Sequence, residues 1–226
     1  GIGDDSEEVM VSRDIILAKA TGAKLHICHI STEGSVEQVR NAKKMGLPVT
    51  AEAAPHHFTL CDEDITDYDS NYKMNPPLRS RRDLEVIRQA LKDNTIEVIA
   101  TDHAPHHIDD KNCEFEKAAN GIIGLETSFA LSYTELVDRG LISLNDMVAK
   151  MTANPARVLG SDKGQLRVGS AADIAIADID NKYTIDVNTM VSKAKNTPFG
   201  GREVKGKVLY TICGGEVVVE NGKLMK

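Results

Sequence analysis

Three short apolar runs constrain this chain more than any other feature. They are residues 25–30, 47–53 and 97–101, rich in Ile, Val, Leu and Ala, and each reads as a buried strand. A helix-patterned segment separates each run from the next. Asp5 or Ser6 can cap a helix that reaches Thr21 and stops at Gly22. A second helix spans Ser35–Lys44, with Val36 and Val39 on its inner face and Gly46 behind it. Ser80-Arg81-Arg82-Asp83 has the form of a capping box and opens a third helix to about Lys92, with Leu84, Ile87 and Leu91 on one face. Strands joined by helical crossovers run parallel, so the expected unit is βαβαβ.

The strand ends carry the chemistry. The third run leads into Thr101-Asp102-His103-Ala104-Pro105-His106, and the first ends in Cys28-His29. The C-terminal ends of parallel strands are where a (β/α) barrel keeps its active site. A carboxylate and an imidazole on two such ends point to a metal-dependent hydrolase. Taken alone, His29 is equally a core histidine bonded beside Cys28; Asp102 is the stronger candidate, with a turn or cap residue as its lesser alternative. His26 lies three positions before His29, so strand alternation places it on the opposite face.

A closed barrel needs eight strands and typically about 250 residues, and only three strands are visible here. After Asp102 comes a polar loop to about Asn120, then helices near 125–139, 144–150 and 155–159. From Gly164 the texture changes to short strands at 173–178, 207–212 and 216–220, split by Gly and Asn turns. The fold class is therefore α/β: a partial (β/α)8 barrel over residues 1–160, with a small β-rich accessory domain over 161–226. Three barrel strands leave two open edges and an inner face without an opposite wall. If Leu25, Ile27, Val49 and Val98 face inward, they lack partners, and the chain alone should be marginally stable.

Composition narrows the rest. A net charge of −7 over 226 residues argues against nucleic acid and anionic membrane surfaces as partners. No apolar run approaches the roughly 18 residues of a spanning helix. The four cysteines, Cys28, Cys61, Cys113 and Cys213, form no CxxC pair, which suggests a reducing cytoplasm. The chain opens Gly-Ile-Gly without Met and runs at once into a helix, as a piece of a longer protein would.

The long segment between the second and third runs holds Pro55-His56-His57 and Lys73-Met74-Asn75-Pro76-Pro77-Leu78-Arg79. The two prolines stiffen the loop around Asn75, whose amide offers a donor and an acceptor to a cyclic amide. His106, four residues beyond Asp102, can donate to a substrate carbonyl or carboxylate. Read blandly, both are ordinary loop residues.

Taken in order, HICHIST, TAEAAPHHFTL, YKMNPPLRS, IATDHAPH, GIIGLET, TANPARVLG and ADIAIADID resemble the bacterial dihydroorotases of the amidohydrolase superfamily, over essentially the whole chain. KMNPPLR with TDHAPH is specific for that group; NPARVLG and ADIAIAD are common across the superfamily. The resemblance implies a zinc enzyme, with one or two ions, that interconverts N-carbamoyl-L-aspartate and L-dihydroorotate in pyrimidine synthesis. It implies His29 as the metal-binding histidine of strand six. It implies Asp102 as the strand-eight aspartate that binds zinc and serves as general base and acid. Asn75 and His106 would hold the substrate ring, and Ala119-Asn120-Gly121 would contact it through the backbone, although the family often has Pro-Phe-Gly there. The family's His-x-His pair, its bridging carboxylate or carboxylated lysine, its strand-five histidine and its early substrate Arg and Asn have no counterpart. The chain thus resembles barrel strands six to eight plus the second half of the flanking β domain, and alone it should be inactive. Partners implied are a small-molecule substrate and the missing N-terminal part, with a homodimer or aspartate transcarbamoylase as further associates. Rival readings are a hydantoinase or allantoinase, and a non-catalytic scaffold subunit.

Overall fold

The computed structural model describes residues 2–225. Three parallel strands, β1 (Leu25–Ile27), β2 (Val49–Ala53) and β3 (Val98–Ile99), form one sheet in sequential order. Leu25 pairs with Val49 and Ile27 with Ala51; Glu52 pairs with Val98 and Ala53 with Ile99. The connecting helices are α1 (Asp4–Thr21), α2 (Glu33–Lys44) and α3 (Arg81–Lys92).

Helix ends follow local chemistry. Gly22 takes φ 74° after α1 and donates its N–H to the Ala18 carbonyl, a conformation glycine adopts without steric cost. The Thr32 hydroxyl accepts from the Ser35 N–H at the start of α2, and the Ser80 hydroxyl accepts from the Asp83 N–H at the start of α3. The α1 cap differs from the reading above. Its N-cap is Gly3, without a side-chain cap bond, because Ser6 Oγ turns back to donate to the Gly3 carbonyl at 2.6 Å.

One face of the sheet packs on the helices. Ile27, Val49, Ala51 and Ala53 are buried against Val11 and Ile15 of α1, Val36 and Val39 of α2, and Ile87 and Leu91 of α3, with Leu25 packed at the margin. This corrects the inner-face assignment: Leu25, Ile27 and Val49 serve the helix-covered core. Strand alternation leaves His26, Thr50, Glu52 and Val98 on the opposite face. That face is therefore mostly polar, and Leu25, Ile27 and Val49 have their partners on the helix side.

Beyond β3 the chain forms a four-residue helix α4 (Ile108–Lys111), α5 (Ser128–Ser132) continuing as a wider π-turn at Tyr133–Val137, α6 (Leu144–Met151) and α7 (Ala153–Leu159). The four tail strands, β4 (Ile174–Thr184), β5 (Glu203–Cys213), β6 (Glu216–Glu220) and β7 (Lys223–Leu224), form an antiparallel meander. β4 outruns its sequence signal because it follows β5 through two register shifts, between Ile176 and Ala177 and between Asp178 and Lys182. β3 is shorter than expected, since only Val98 and Ile99 pair in the ladder before Asp102 turns the chain.

A second core, Leu60, Met74, Leu78, Ile122, Leu131, Ile185, Phe199 and Val204, ties the loop around Asn75 to the segment leading into β5. Glu135, 1% exposed, sits between these parts and accepts from Arg88 of α3 at 2.7 Å and from Arg202 at 2.6 Å. Among the described residues no helix is long and apolar enough to cross a membrane.

Candidate active site

The ends of β1 and β3 converge. His29 and Asp102 both adopt left-handed backbone, φ 53° and 48°, which non-glycine residues enter at a cost of about 1–3 kcal/mol. That conformation re-aims each side chain at the point where strand geometry ends. His29 Nε2 comes to 3.5 Å from Asp102 Oδ1. On its other side, His29 Nδ1 lies 2.8 Å from Glu52 Oε1 and has no other partner.

Glu52 is the residue the motifs did not single out. It stands on the polar face of β2, is 7% exposed, and collects two imidazoles: His29 on Oε1 and His26 Nε2 at 3.0 Å from Oε2. The expected opposition of His26 and His29 therefore fails. The left-handed turn at His29 breaks the alternation that places His26. Burial alone would raise the Glu52 carboxyl, but the bonds and charges of His26 and His29 outweigh it and hold it at about 2. Glu52 in turn raises His29 above its ordinary value, against burial and with help from Asp102. Asp102 is itself raised, by burial first and by Glu52, against the pull of His29. A carboxyl raised in this way holds a proton more readily, which suits a group that moves one.

Behind this triad, Glu7 of α1 secures the end of β1. Its carboxylate accepts from the Ser31 N–H at 3.0 Å, the Thr32 N–H at 3.3 Å and the Ser31 hydroxyl. Arg79, the last residue of KMNPPLR and 7% exposed, donates Nε to Ser31 Oγ at 3.0 Å and pairs with Asp4 at 2.8 Å. The Asn75 loop and the end of β1 are thus braced on one another.

His57 holds the Asn75 loop from below, with Nε2 3.0 Å from the Pro76 carbonyl. Complete burial lowers His57 to about 4, more than the Pro76 bond raises it. Its neighbour His56 is lowered further, by burial and then by His57 and His29. Both are supports rather than open ligands. Asn75 lines a cavity of about 380 Å³ shared with His26 and Cys28.

His106 and the 119–121 segment also meet. His106 Nε2 lies 2.8 Å from the Asn120 carbonyl. Gly121 has φ 128°, and a Cβ there would stand 2.5 Å from the Ala104 Cβ, so only glycine fits. Lys111, buried in the same loop, donates to the carbonyls of Lys73, Ala119 and Gly121 at 2.9–3.2 Å. Asn196, from the segment before β5, donates to the Ala104 and Gly121 carbonyls at 3.0 Å and accepts from the His106 N–H. His106 lines a separate cavity of about 540 Å³ with Lys111 and Asn196, so the structure groups His106 with Asn120 and Gly121 but leaves Asn75 on the His26 side. Lys111 and Asn196 carry no motif; only their partners across the fold reveal them.

An imidazole and a carboxylate on the two outer strand ends, each held in a strained backbone conformation, are donor types that a catalytic metal takes. With Nδ1 turned to Glu52, the approach of His29 Nε2 to Asp102 fits a metal in that neighbourhood. The amidohydrolase family profile matches residues 3–218, and the chain belongs to that family. It is 50% identical over 225 residues to the dihydroorotase of Acetivibrio thermocellus, covering all of this chain and 53% of that protein. It is 52% identical over 221 residues to the dihydroorotase of Pelotomaculum thermopropionicum, covering 98% of this chain and 52% of that one. The chain thus spans about half the length of the curated relatives it matches. Among solved structures, the dihydropyrimidinase of Brevibacillus agri superposes with a TM-score of 0.92 at 29% identity, over 98% of this chain and 50% of that one. The L-hydantoinase of Arthrobacter aurescens gives 0.92 at 32% identity, over 97% of this chain and 50% of that one.

Proposed function

We propose that this chain forms the His29–Asp102 part of a zinc-dependent dihydroorotase, interconverting N-carbamoyl-L-aspartate and L-dihydroorotate in cytoplasmic pyrimidine synthesis. It would supply barrel strands six to eight over residues 1–160, with 161–226 as the accessory β domain. The observation that carries the reading is the convergence of His29 and Asp102 on two strand ends, in a chain half identical to dihydroorotases throughout its length.

His29 and Asp102 would hold the ion, which when bound supplies Lewis-acid polarisation of the ring amide carbonyl. Asp102 moves the proton: its carboxylate accepts one as water adds to the carbonyl carbon. It then passes that proton to the amide nitrogen as the C–N bond breaks. Glu52 orients the His29 ring and keeps its charge balanced. Asn75 and His106 would approach the substrate from the two loops, and Gly121 keeps the 119–121 backbone close to His106. Two ligands fall short of the three protein ligands usual for catalytic zinc, so the remainder must come from another segment. The chain alone would then be inactive, and its partners would be that segment and a small-molecule substrate.

The test is a chimera joining the first half of the Acetivibrio thermocellus dihydroorotase to this chain. Zinc-loaded chimera should open L-dihydroorotate and leave hydantoin and dihydrouracil largely untouched, while the chain alone turns over none of them. A folded, metal-loaded chimera that prefers hydantoin would move the substrate to the ring class of the structural neighbours. A chimera inert to all three would favour the scaffold reading, and turnover by the unaided chain would overturn the shared-site reading.

A further inference from the structure

We propose that His26, Cys28 and Glu52 form a binding site for a soft divalent cation of the zinc or cadmium kind, separate from the His29–Asp102 pair. His26 and Glu52 lie on the polar face of the parallel sheet, and Cys28 follows the end of β1 two residues after His26. One ligand atom from each, an imidazole nitrogen, a thiol sulfur and a carboxylate oxygen, all lie within 4.8 Å of one another. Ligand atoms around a tetrahedral zinc stand about 3.3–3.7 Å apart, given bond lengths of about 2.0–2.3 Å. The 3.0 Å between His26 Nε2 and Glu52 Oε2 and the 4.8 Å outer limit bracket that spacing.

The hydrogen bonding around His26 favours a cation there. Thr50 Oγ1 lies 3.3 Å from the Leu25 carbonyl and gives its proton to that oxygen. It therefore accepts from His26 Nδ1–H at 2.8 Å. His26 Nε2 then stands 3.0 Å from Glu52 Oε2, and a cation bound there takes the place of the proton that bridges the two groups. A metal ion satisfies both at once. The Thr50 bond is also the kind of outer contact that fixes the ring of a ligating histidine.

Cys28 supplies the soft donor. Its side chain is exposed, and with His26 it borders the cavity of about 380 Å³, so the site has an entry path. Binding forms a metal–sulfur bond, releases the thiol proton to solvent and involves no redox change. Thiolate and carboxylate together neutralise a dication, and thiolate, imidazole and carboxylate are zinc-class ligands. A water molecule can fill the fourth position. Cys28 and His26 have no role in the reaction proposed above; Glu52 is shared, with Oε1 towards His29 and Oε2 towards His26.

The experiment is a cadmium titration of the full 226-residue chain. The other exposed thiols are first removed by Cys113→Ser and Cys213→Ser. The readout is the ultraviolet charge-transfer band of a cadmium–thiolate bond, with zinc as competitor. The band should rise to one equivalent and be displaced by zinc. Cys28→Ser should abolish it, and His26→Gln should weaken binding roughly tenfold or more, since even outer contacts of a metal site are worth about 10–100-fold. His29→Ala should leave it, which separates this site from the proposed catalytic pair. Circular dichroism checks that each variant is folded, and exposed Cys28 tolerates serine in any case. No band, a band that survives Cys28→Ser, or equal losses from His29→Ala and His26→Gln would each overturn the site.

Discussion

His57 should make the chain acid-labile through one identifiable group. The imidazole is fully enclosed, with Nε2 on the Pro76 carbonyl and Nδ1 buried without a partner. A proton added to Nδ1 finds no acceptor there, so the charged form is expensive. Burial lowers this histidine from 6.5 to about 4 in the folded chain. Between those two pH values the unfolded state binds the proton and the folded state does not. Stability is therefore complete above about pH 6.5 and lost as pH falls towards 4. The difference of about 2.5 pH units, at 1.36 kcal/mol each, is about 3 kcal/mol. That is a large share of the roughly 5–15 kcal/mol that holds a typical domain together. The assay is urea unfolding at pH 7, 6, 5 and 4 for the native chain and for His57→Asn, whose amide keeps a donor near Pro76. His56 is lowered chiefly by its own burial, which both proteins share, so the difference between them reports His57 together with its smaller effect on His56. The native chain should be the more stable at pH 7, and its advantage should shrink by about 3 kcal/mol at pH 4. Parallel pH curves for the two proteins would refute the reasoning.

Three further outcomes are expected. Glu135→Gln removes the buried charge between Arg88 and Arg202 and should cost about 3–5 kcal/mol in chemical unfolding, whereas Arg139→Ala, whose own side chain is 53% exposed, should cost under about 1 kcal/mol. Gly121→Ala places a Cβ 2.5 Å from Ala104 at φ 128°, so it should cost about 1–3 kcal/mol and speed limited proteolysis within residues 105–121; unchanged cleavage would show that the loop has room to move. In the chimera, Asp102→Asn should lower kcat by about 10²–10⁴-fold while bound zinc falls far less, because the amide oxygen still ligates but moves no proton; near-normal kcat with full metal would remove Asp102 from proton transfer.

The sequence by itself determined the order of elements and the two strand ends that converge. Gly22, the Ser80 cap and the apolar spacing of α2 and α3 are signals read within a few residues, and local hydrogen bonds made them true in the fold. His29 and Asp102 were legible because each follows a buried run, and parallel strands bring such ends to one edge. What surrounds them was not legible. Glu52 sits inside a motif that gives it no distinction; it became central only when β2 fell between β1 and β3 and placed its carboxylate between two imidazoles. His26 was misplaced because alternation holds only while the backbone stays extended, and the left-handed turn at His29 ended it. Lys111 and Asn196 are unremarkable in sequence and act through carbonyls up to 92 residues away. Strand and helix patterns are set by near neighbours. The charge, protonation and aim of a site side chain are set by whatever the fold packs against it from far along the chain, and only the tertiary structure decides that.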